Sequence, residues 1–171
     1  DGFRGRGTGC GACRGARMKA TEMVLTTAPF VVRREVRWGD CDPAGVVYTG
    51  RFPDYVLGAV ALYTEHLGAG RRLGDAHGVG TPCRALSFDF VGTLWPGDVI
   101  LIECRVGALR TRSFDIELAA CRPDGSAVFS AVFSPICVRQ DERIGTPVPA
   151  SLRAVLLAHG AYETHTHEGA A

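Results

Sequence analysis

The sequence predicts an α+β domain in which a curved antiparallel sheet wraps around one long helix. Apolar residues recur at helical spacing over residues 51–68, and from residue 82 onward the apolar period changes to two. The runs of period two are separated by short turn-rich segments, which favours antiparallel pairing. Because one enclosed helix and one curling sheet bury each other's apolar faces, neither repeats nor a second domain are needed.

The predicted helix occupies residues 51–68. Pro53 suits its first turn, where a missing N–H costs nothing, and Gly68 ends it. Between residues 56 and 63 the helix is apolar nearly all round, so we expect it to be enclosed on several sides. The core-facing stripe at spacings of three and four consists of Phe52, Val56, Ala59, Val60, Tyr63 and Leu67.

Five strands are predicted around this helix. The first covers residues 30–38 and precedes the helix, and the last, residues 127–138, is apolar on both faces, as expected of a central strand. Short loops make an antiparallel meander of the last four strands the simplest topology. A short helix over residues 149–159 follows. The alternating apolar positions of the middle strands are Leu86, Phe88 and Phe90, then Ile100, Ile102, Cys104 and Val106, then Phe114, Ile116, Leu118 and Ala120.

The length of 171 residues predicts one domain, which we place at residues 28–160. Residues 1–27 lack periodicity and start Gly/Arg-rich, so we expect them to be disordered or vector-derived, with Met18 or Met23 as the natural start. Residues 161–171 are predicted to be a flexible polar tail. Cys10 and Cys13 have C-x-x-C spacing without a second ligand pair, and His165 and His167 stand in the tail, so no metal site is predicted.

Composition excludes several functional classes. The net charge of +1 gives no bulk attraction to nucleic acid or membranes, and no apolar run reaches the ~18–20 residues of a membrane span. The start has no apolar core of a secretion signal. Seven cysteines, an odd number mostly inside apolar runs, indicate buried reduced thiols and therefore a cytoplasmic protein.

The candidate site is the acid-rich turn within residues 36–52, which read V-R-W-G-D-C-D-P-A-G-V-V-Y-T-G-R-F. Asp40 and Asp42 stand just before the predicted helix, whose N-terminus offers free N–H groups that can polarise a carbonyl. The alternative for Asp42 is a purely local role, in which its side chain binds the backbone of its own turn. Asp40 is expected to hold the turn, and Cys41, between two acids, is not expected to be a nucleophile.

The string W-G-D-C-D-P-A-G-V-V-Y resembles the 4-hydroxybenzoyl-CoA thioesterase family of hotdog-fold acyl-CoA thioesterases. Two further stretches agree, residues 78–82 (G-V-G-T-P) and residues 110–114 (R-T-R-S-F), so that the resemblance covers residues 31–148. It implies the hotdog fold and a homodimer whose two sheets join, often assembled further into a homotetramer. It also implies active sites at the subunit interface.

The resemblance implies a role for each matching residue. Asp42, just before the proline, would be the catalytic carboxylate, as nucleophile or as general base. Tyr48 and Thr49 would also belong to the catalytic residues, since the N–H that polarises the thioester carbonyl would lie near Thr49. Glu65, late on the helix, is the second candidate for the catalytic carboxylate, because some hotdog thioesterases carry it on the helix.

The same resemblance assigns the substrate contacts. Two of these residues, Gly45 and Val47, lie in the turn. The other three are Arg110, Arg112 and the nearby Ser113. The two arginines would reach the CoA phosphates, and with one residue between them they are expected to share a strand face. CoA would enter only as part of the substrate, and no other cofactor is expected.

The sequence also departs from the family pattern. Gly50-Arg51-Phe52 stands where the family has Pro-Asn-Tyr, and Gly58 replaces an acidic residue often found in mid-helix. The changed helix start favours, as an alternative to an acyl-CoA thioesterase, an enzyme acting on an acyl chain held by an acyl carrier protein. A third possibility is a hotdog protein that binds an acyl group or CoA without catalysis.

Overall fold

The structure, a computed structural model, describes residues 21–164. Its strands are β1 (Glu22–Thr27), β2 (Phe30–Glu35), β3 (Cys83–Phe90), β4 (Val99–Leu109), β5 (Phe114–Cys121), β6 (Ala127–Pro135) and β7 (Tyr162–Glu163). Its helices are α1 (Phe52–Leu67), α2 (Leu73–Ala76) and α3 (Ala150–Ala158). Two short 3-10 turns, Trp38–Asp40 and Thr49–Arg51, stand before α1.

One sheet holds all of these strands, in the order β1-β2-β4-β5-β6-β3, and α1 lies against its inner face. Neighbours along this path are antiparallel, whereas β7 pairs in parallel with the end of β4. Val32, Ile102 and Ile116 on three adjacent strands are fully buried beneath the helix. The predicted class, an α+β domain with a curved antiparallel sheet around one long helix, is confirmed.

The period-two patterns place the core as predicted. On β4 and β5 the residues predicted to face inward are buried, and they are Ile100, Ile102, Cys104 and Val106, then Phe114, Ile116, Leu118 and Ala120. On β3 the corresponding residues are less buried, since Phe90 is 48% exposed. The reason is that β3 is an edge strand, so one side of its inner face has no neighbour.

The predicted meander is wrong at β3, which pairs with β6 and not with β4. The connection of residues 91–98 therefore crosses three strand spacings, or ~14 Å at ~4.8 Å each. Eight extended residues reach up to ~26 Å, so a short loop suffices. Leu94 within it is 1% exposed, which shows that the crossing also closes one end of the core.

Strands lie on both sides of residues 28–160, the domain predicted from the sequence. Residues 22–27 form β1, paired with β2, and residues 162–163 form β7. On β1 the polar Glu22 and the apolar Val24 turn inward, while Met23 and Leu25 are 45% and 46% exposed. This strand therefore lacks the alternation of apolar inward and polar outward residues by which a strand is recognised in a sequence. Residues 1–20 and 165–171, including Cys10, Cys13, Met18, His165 and His167, lie outside the described residues.

Helix α1 begins and ends within one residue of its prediction, but it is not enclosed on several sides. Leu57 is 44% exposed and Ala61 is also exposed. The sheet covers only one side of the helix, which leaves this apolar outer face open in the single chain. The inner stripe includes one residue that the prediction lacks, Tyr55, which is fully buried.

The remaining expectations concern α3, the thiols and membranes. Helix α3 lies where predicted and buries Leu152 and Leu156. The cysteines at 41, 83, 104, 121 and 137 are free thiols, although Cys83, at the start of the edge strand, is exposed. Among residues 21–164, no helix has the length and apolar character needed to cross a membrane.

Candidate active site

Residues 41–47 fold into a tight hairpin whose tip carries Asp42. Its N–H donates to Val46 O at 2.9 Å, and its carbonyl oxygen accepts the N–H of Gly45 at 2.9 Å. Pro43 presets the turn. Gly45 has φ +80°, a left-handed conformation that other residues adopt only at a cost. The D-P-A-G sequence therefore dictates the local shape, and the hairpin returns the chain directly to the helix start.

The start of α1 offers two unoccupied donors. The N–H of Tyr48 is already used, since it donates to Asp40 O at 2.9 Å. The next two residues, Thr49 and Gly50, have N–H groups for which residues 21–164 supply no acceptor. The 3-10 turn then runs into α1 without a break, so these N–H groups stand at the positive end of the helix dipole.

The Asp42 carboxylate has one occupied oxygen. Its Oδ1 accepts the N–H of Ala44 at 2.8 Å, which is the local turn role weighed above. No donor among residues 21–164 approaches Oδ2, and the residue is half-buried. Both roles are therefore compatible, because the turn uses one oxygen and leaves the other available.

Asp40 holds the turn together, as predicted. Its Oδ2 accepts the N–H of Arg37 at 3.1 Å and the hydroxyl hydrogen of Tyr55 at 2.9 Å. Burial, with the hydrogen bond to Asp40 as a second cause, raises the pKa of Tyr55 well above its usual range. The hydroxyl therefore stays protonated and remains a donor to Asp40.

Cys41 is unsuited to nucleophilic attack, which also agrees with the prediction. Burial, and then the charges of Asp40 and Asp42, raise the pKa of its thiol. The thiol points back along the chain, with Sγ 3.7 Å from Arg37 O. A protonated sulfur is a poor nucleophile, so the chemistry of this turn falls to its carboxylates.

The unusual Gly50 at the helix start has a steric reason. A Cβ atom there would lie 2.5 Å from Cε1 of the Tyr48 ring. The ring of Tyr48 therefore lies over Gly50 and is 59% exposed. The departure from the family pattern thus opens room for an aromatic ring beside the two unoccupied N–H groups.

Apolar residues surround the hairpin and hold it to the sheet. Val47 is buried, and its N–H donates to Leu94 O of the crossing loop at 2.9 Å. Phe52, one turn further along, packs against Phe90 and Phe129 with ring centroids 4.9 and 5.5 Å apart. The hairpin, the crossing loop and the edge strand β3 therefore meet at one end of the sheet.

Arg110, Arg112 and Ser113 do not lie on a strand face. The N–H of Arg110 donates to Ser113 O at 2.8 Å and closes the β4–β5 hairpin, so the expectation of a shared strand face is wrong. The guanidinium of Arg110 forms a bidentate pair with Asp115, with both N–O distances 2.8 Å. Ser113 is buried and bridges to Ile136. Strand β5 begins only at Phe114, after this turn.

These residues stand at the other end of the sheet from Asp42. The Asp42 hairpin contacts the loop that leads into β4, whereas the Arg110 turn follows the last residue of β4. The eleven residues of β4 span ~33 Å at ~3.3 Å each. Glu65 lies near the C-terminal end of α1, whereas Asp42 precedes the N-terminal end of this helix, so the two carboxylates are also remote from each other. One chain therefore does not bring the predicted catalytic and phosphate-binding residues together.

Two grooves of about 420 Å³ each lie on the outer face of the sheet, and neither is lined by Asp42, Tyr48 or Thr49. The candidate site is instead a surface hairpin beside a helix start. Within residues 21–164, no three His, Cys, Asp or Glu side chains come together in a way that could hold a metal ion.

Sequence reasoning missed the two residues that hold this hairpin from below, Tyr55 and Arg34. The Arg34 guanidinium lies 4.1 Å from the centre of the Tyr55 ring. A signal existed for Tyr55, because it falls on the inner stripe of the helix and a buried tyrosine hydroxyl needs an acceptor. Nothing in the sequence identifies Asp40 as that acceptor, fifteen positions earlier.

Solved structures share this architecture. A thioesterase superfamily protein from Jannaschia sp. CCS1 is 28% identical, with a TM-score of 0.71, 78% of this chain covered and 94% of that one. The 4-hydroxybenzoyl CoA thioesterase from Pseudomonas sp. strain CBS-3 is 27% identical, with a TM-score of 0.64 and coverage of 73% and 96%. A 1,4-dihydroxy-2-naphthoyl-CoA thioesterase from Synechocystis, 20% identical, has the same fold, with a TM-score of 0.65 and coverage of 75% and 95%.

The helix wrapped by a curved sheet, together with the thioesterases that share this architecture, defines a hotdog-fold thioester hydrolase. The model of the thioesterase-like superfamily matches residues 36–156, so this chain belongs to that superfamily. No curated protein matches the sequence.

Proposed function

We propose that this protein hydrolyses acyl-CoA thioesters, with Asp42 acting at the thioester carbonyl carbon. The N–H groups of Thr49 and Gly50 would receive the developing oxyanion. One observation carries the proposal: a carboxylate with a vacant oxygen stands on the hairpin that leads directly to two unoccupied helix N–H groups. Acyl transfer needs this pair of groups, a nucleophile or base and preorganised donors.

Asp42 can act in two ways. As nucleophile, Oδ2 attacks the carbonyl carbon, the C–S bond breaks, the thiolate takes up a proton, and water hydrolyses the mixed anhydride. As general base, it takes a proton from water, the resulting hydroxide attacks, and the proton passes to the leaving thiolate. After a single turnover in ¹⁸O-water, label found in the Asp42 peptide identifies the anhydride.

The two functional groups are sufficient for substantial catalysis. A preorganised oxyanion donor contributes about 3–4 kcal/mol to transition-state stabilisation. A placed general base contributes on the order of 10²–10⁴ in rate. Because the donors belong to the helix backbone, they need no side chain and little reorganisation during the reaction.

The CoA part of the substrate would bind across two chains. Arg112 and Ser113 stand at the far end of the sheet from Asp42 in the same chain, so a site containing all three needs a second copy. This agrees with a homodimer or homotetramer whose active sites lie at the interface. The 4-hydroxybenzoyl CoA thioesterase from Pseudomonas, at 27% identity, supports CoA as the carrier. We propose a phosphate contact for Arg112, as the family resemblance implies, while the guanidinium of Arg110 pairs with Asp115.

Exposed apolar side chains around the hairpin support an interface at this end. Trp38 is 80% exposed, Trp95 50% and Val91 65%. Large exposed apolar residues at one place are typical of surfaces that another molecule covers. A second copy seated here would turn the surface hairpin into an enclosed pocket for the acyl group.

The decisive experiment replaces Asp42 by Asn and measures hydrolysis of a panel of acyl-CoA thioesters. The matched control is Asp124→Asn, because Asp124 Oδ1 accepts the N–H of Ser126 at 2.9 Å in the same kind of turn. We expect Asp42→Asn to lower kcat by 10² or more and Asp124→Asn to leave it unchanged. A loss of less than tenfold, or about 1.4 kcal/mol, in Asp42→Asn rejects the assignment.

A second candidate is a non-catalytic protein that binds an acyl group or CoA. The hydrogen bond from Ala44 to Asp42 favours it, since that bond gives the carboxylate a complete structural role without catalysis. Binding of CoA without hydrolysis of any thioester in the panel would establish this candidate. Comparing each acyl-CoA with the matching acyl-carrier-protein thioester tests the identity of the carrier in the same assay. A preference for the protein-bound substrate would identify the acyl carrier protein, and not CoA, as the carrier.

A further inference from the structure

Glu22 on the first strand contacts the middle of the helix at a glycine. A Cβ atom at Gly58 would lie 2.5 and 2.6 Å from the two carboxylate oxygens of Glu22. Any other residue at position 58 would displace this carboxylate, which is the movable end of a flexible side chain. Gly58 therefore leaves room for Glu22 to sit against α1.

The carboxylate forms a partly buried ion pair with its cross-strand neighbour. Glu22 and Arg34 face each other directly in the β1–β2 ladder, and Glu22 Oε1 lies 3.3 Å from Arg34 Nη1. The two side chains are only 22% and 15% exposed. Because Arg34 is turned towards the helix side of the sheet, Glu22 supplies the countercharge for a guanidinium held close to the core.

From Arg34 the contacts continue to the Asp42 hairpin. The guanidinium lies over the ring of Tyr55, whose hydroxyl donates to Asp40. The carbonyl oxygen of Asp40 in turn accepts the N–H of Tyr48, next to the unoccupied helix donors. Four side chains from β1, β2, α1 and the 3-10 turn that precedes the hairpin thus form one continuous path.

We propose that Glu22 is a positioning residue for the Asp42 hairpin, acting through Arg34 and Tyr55. The proposal deepens the function proposed above and rests on it for its kinetic readout. Without Glu22, the partly buried Arg34 would lose its countercharge, and the nearest remaining carboxylate on the path is Asp40. Arg34 would then compete with Tyr55 for Asp40 and shift the hairpin.

The first test is Glu22→Gln, which keeps the shape of the side chain and removes its charge. The matched control is Glu35→Gln, because Glu35 is paired with Arg33 at 3.2 Å and is not part of the path. We expect Glu22→Gln to lower kcat on the order of 10-fold at similar KM, as small misplacements of reacting groups do. Glu35→Gln should keep the wild-type rate.

Gly58→Ala distinguishes positioning from a merely structural role. Alanine is the better helix former by about 1 kcal/mol, which offsets part of the cost of displacing the Glu22 carboxylate by the added methyl group. We expect kcat to fall as in Glu22→Gln. A variant that keeps both its stability and its wild-type kcat would overturn the proposal.

Amide hydrogen exchange gives a readout that does not depend on activity. The N–H groups of Asp42 and Tyr48 close the hairpin, and we expect both to exchange at least tenfold faster in Glu22→Gln than in Glu35→Gln, with β5 amides unchanged. A wild type without hydrolysis would reject the proposed function, and the exchange rates would still decide on positioning. Equal exchange in Glu22→Gln and Glu35→Gln overturns the role of Glu22.

Discussion

The hydroxyl of Tyr55, in the first turn of α1, donates to Asp40 Oδ2 at 2.9 Å, and this bond joins the helix to the hairpin that carries Asp42. Tyr55 is fully buried, so its hydroxyl cannot exchange this bond for water without opening the core. The bond therefore fixes where the hairpin stands relative to the helix N–H groups.

Tyr55→Phe should reduce both stability and activity. Loss of the hydrogen bond leaves Asp40 Oδ2 with only the N–H of Arg37, at a cost of about 1–2 kcal/mol in unfolding free energy. The matched control is Tyr63→Phe, also buried on α1 but without contact to Asp40. Urea unfolding and hydrolysis rates measure the difference. Equal rates in the two variants would show that the bond does not position the hairpin.

The same tyrosine predicts an alkaline limit of stability. The pKa of Tyr55 is raised in the folded state from the usual 10.0, so the folded state holds the proton more tightly than the unfolded one. This contribution is fully present below pH 10 and is lost as the pH rises above it, by up to about 1.4 kcal/mol per unit. Unfolding free energies measured from pH 9 upward should therefore fall more steeply in the wild type than in Tyr55→Phe.

Gly45→Ala should impair catalysis beyond its effect on stability. Gly45 has φ +80° and no atom near a new Cβ, so alanine costs about 1–2 kcal/mol through the backbone alone. Gly70→Ala is the matched control, with φ +86° and equally open surroundings, but after the far end of α1. Both should lower the melting temperature similarly, and only Gly45→Ala should lower kcat. A parallel loss of rate in Gly70→Ala would remove the link to the hairpin.

Much of this fold could be predicted because each pattern has a local cause. The apolar stripe of α1, the inward positions of β4 and β5 and the Pro-Gly turns all follow from spacing within one element. The pairing of β3 with β6 has no such local cause. It joins strands that are distant in the sequence, whereas sequence order alone favours the neighbouring strand.

Some parts of the candidate site could likewise be predicted from the sequence, and others could not. Asp42, Gly45 and the helix start lie in one short string, so their proximity could be predicted. The assignment of Arg110 could have been corrected from the sequence, because a tight hairpin brings Asp115 within reach of it. The path from Glu22 to Tyr55 could not be predicted, since β1 turns a glutamate inward and exposes Met23 and Leu25.

Asp115→Asn should lower stability and change its dependence on acid. Burial acts to raise the pKa of Asp115, but hydrogen bonds from Arg110 and Ser134 outweigh it and hold the pKa below 3.8. The contribution is present above about pH 4 and is lost as the pH falls through the lowered value. We expect Asp115→Asn to lower the free energy of unfolding by about 2–3 kcal/mol at pH 7. This loss is smaller than for a fully buried ion pair, because the Arg110 side chain is 28% exposed.

Urea unfolding at pH 7 and at pH 3 measures this effect, with the exposed Asp141→Asn as control. The control should change the unfolding free energy by less than about 0.5 kcal/mol at either pH. If Asp115→Asn behaves like the control at pH 7, the pair with Arg110 is not structural, and Arg110 returns as a candidate phosphate ligand.

Arg112→Ala should weaken binding of acyl-CoA without slowing the chemical step. If the guanidinium contacts a phosphate of CoA, its loss should raise KM about tenfold, and the effect should shrink at high salt. The matching acyl-pantetheine thioester, which lacks the nucleotide phosphates, should bind equally well to Arg112→Ala and to the wild type. An equal rise in KM for both substrates would exclude a phosphate contact.

Mixing two impaired variants tests whether the site is shared between chains. If Asp42 of one subunit works with Arg112 of the other, a hybrid of Asp42→Asn and Arg112→Ala contains one doubly altered site and one intact site. Random exchange of subunits makes half of the dimers hybrids, so about a quarter of the wild-type activity should be recovered well below the wild-type KM. Under these conditions Arg112→Ala alone keeps only about a tenth of the wild-type rate, because its KM is raised about tenfold. Each variant incubated alone is the control. No recovery after demonstrated subunit exchange would place both residues' functions within one chain, which the ~33 Å length of β4 opposes.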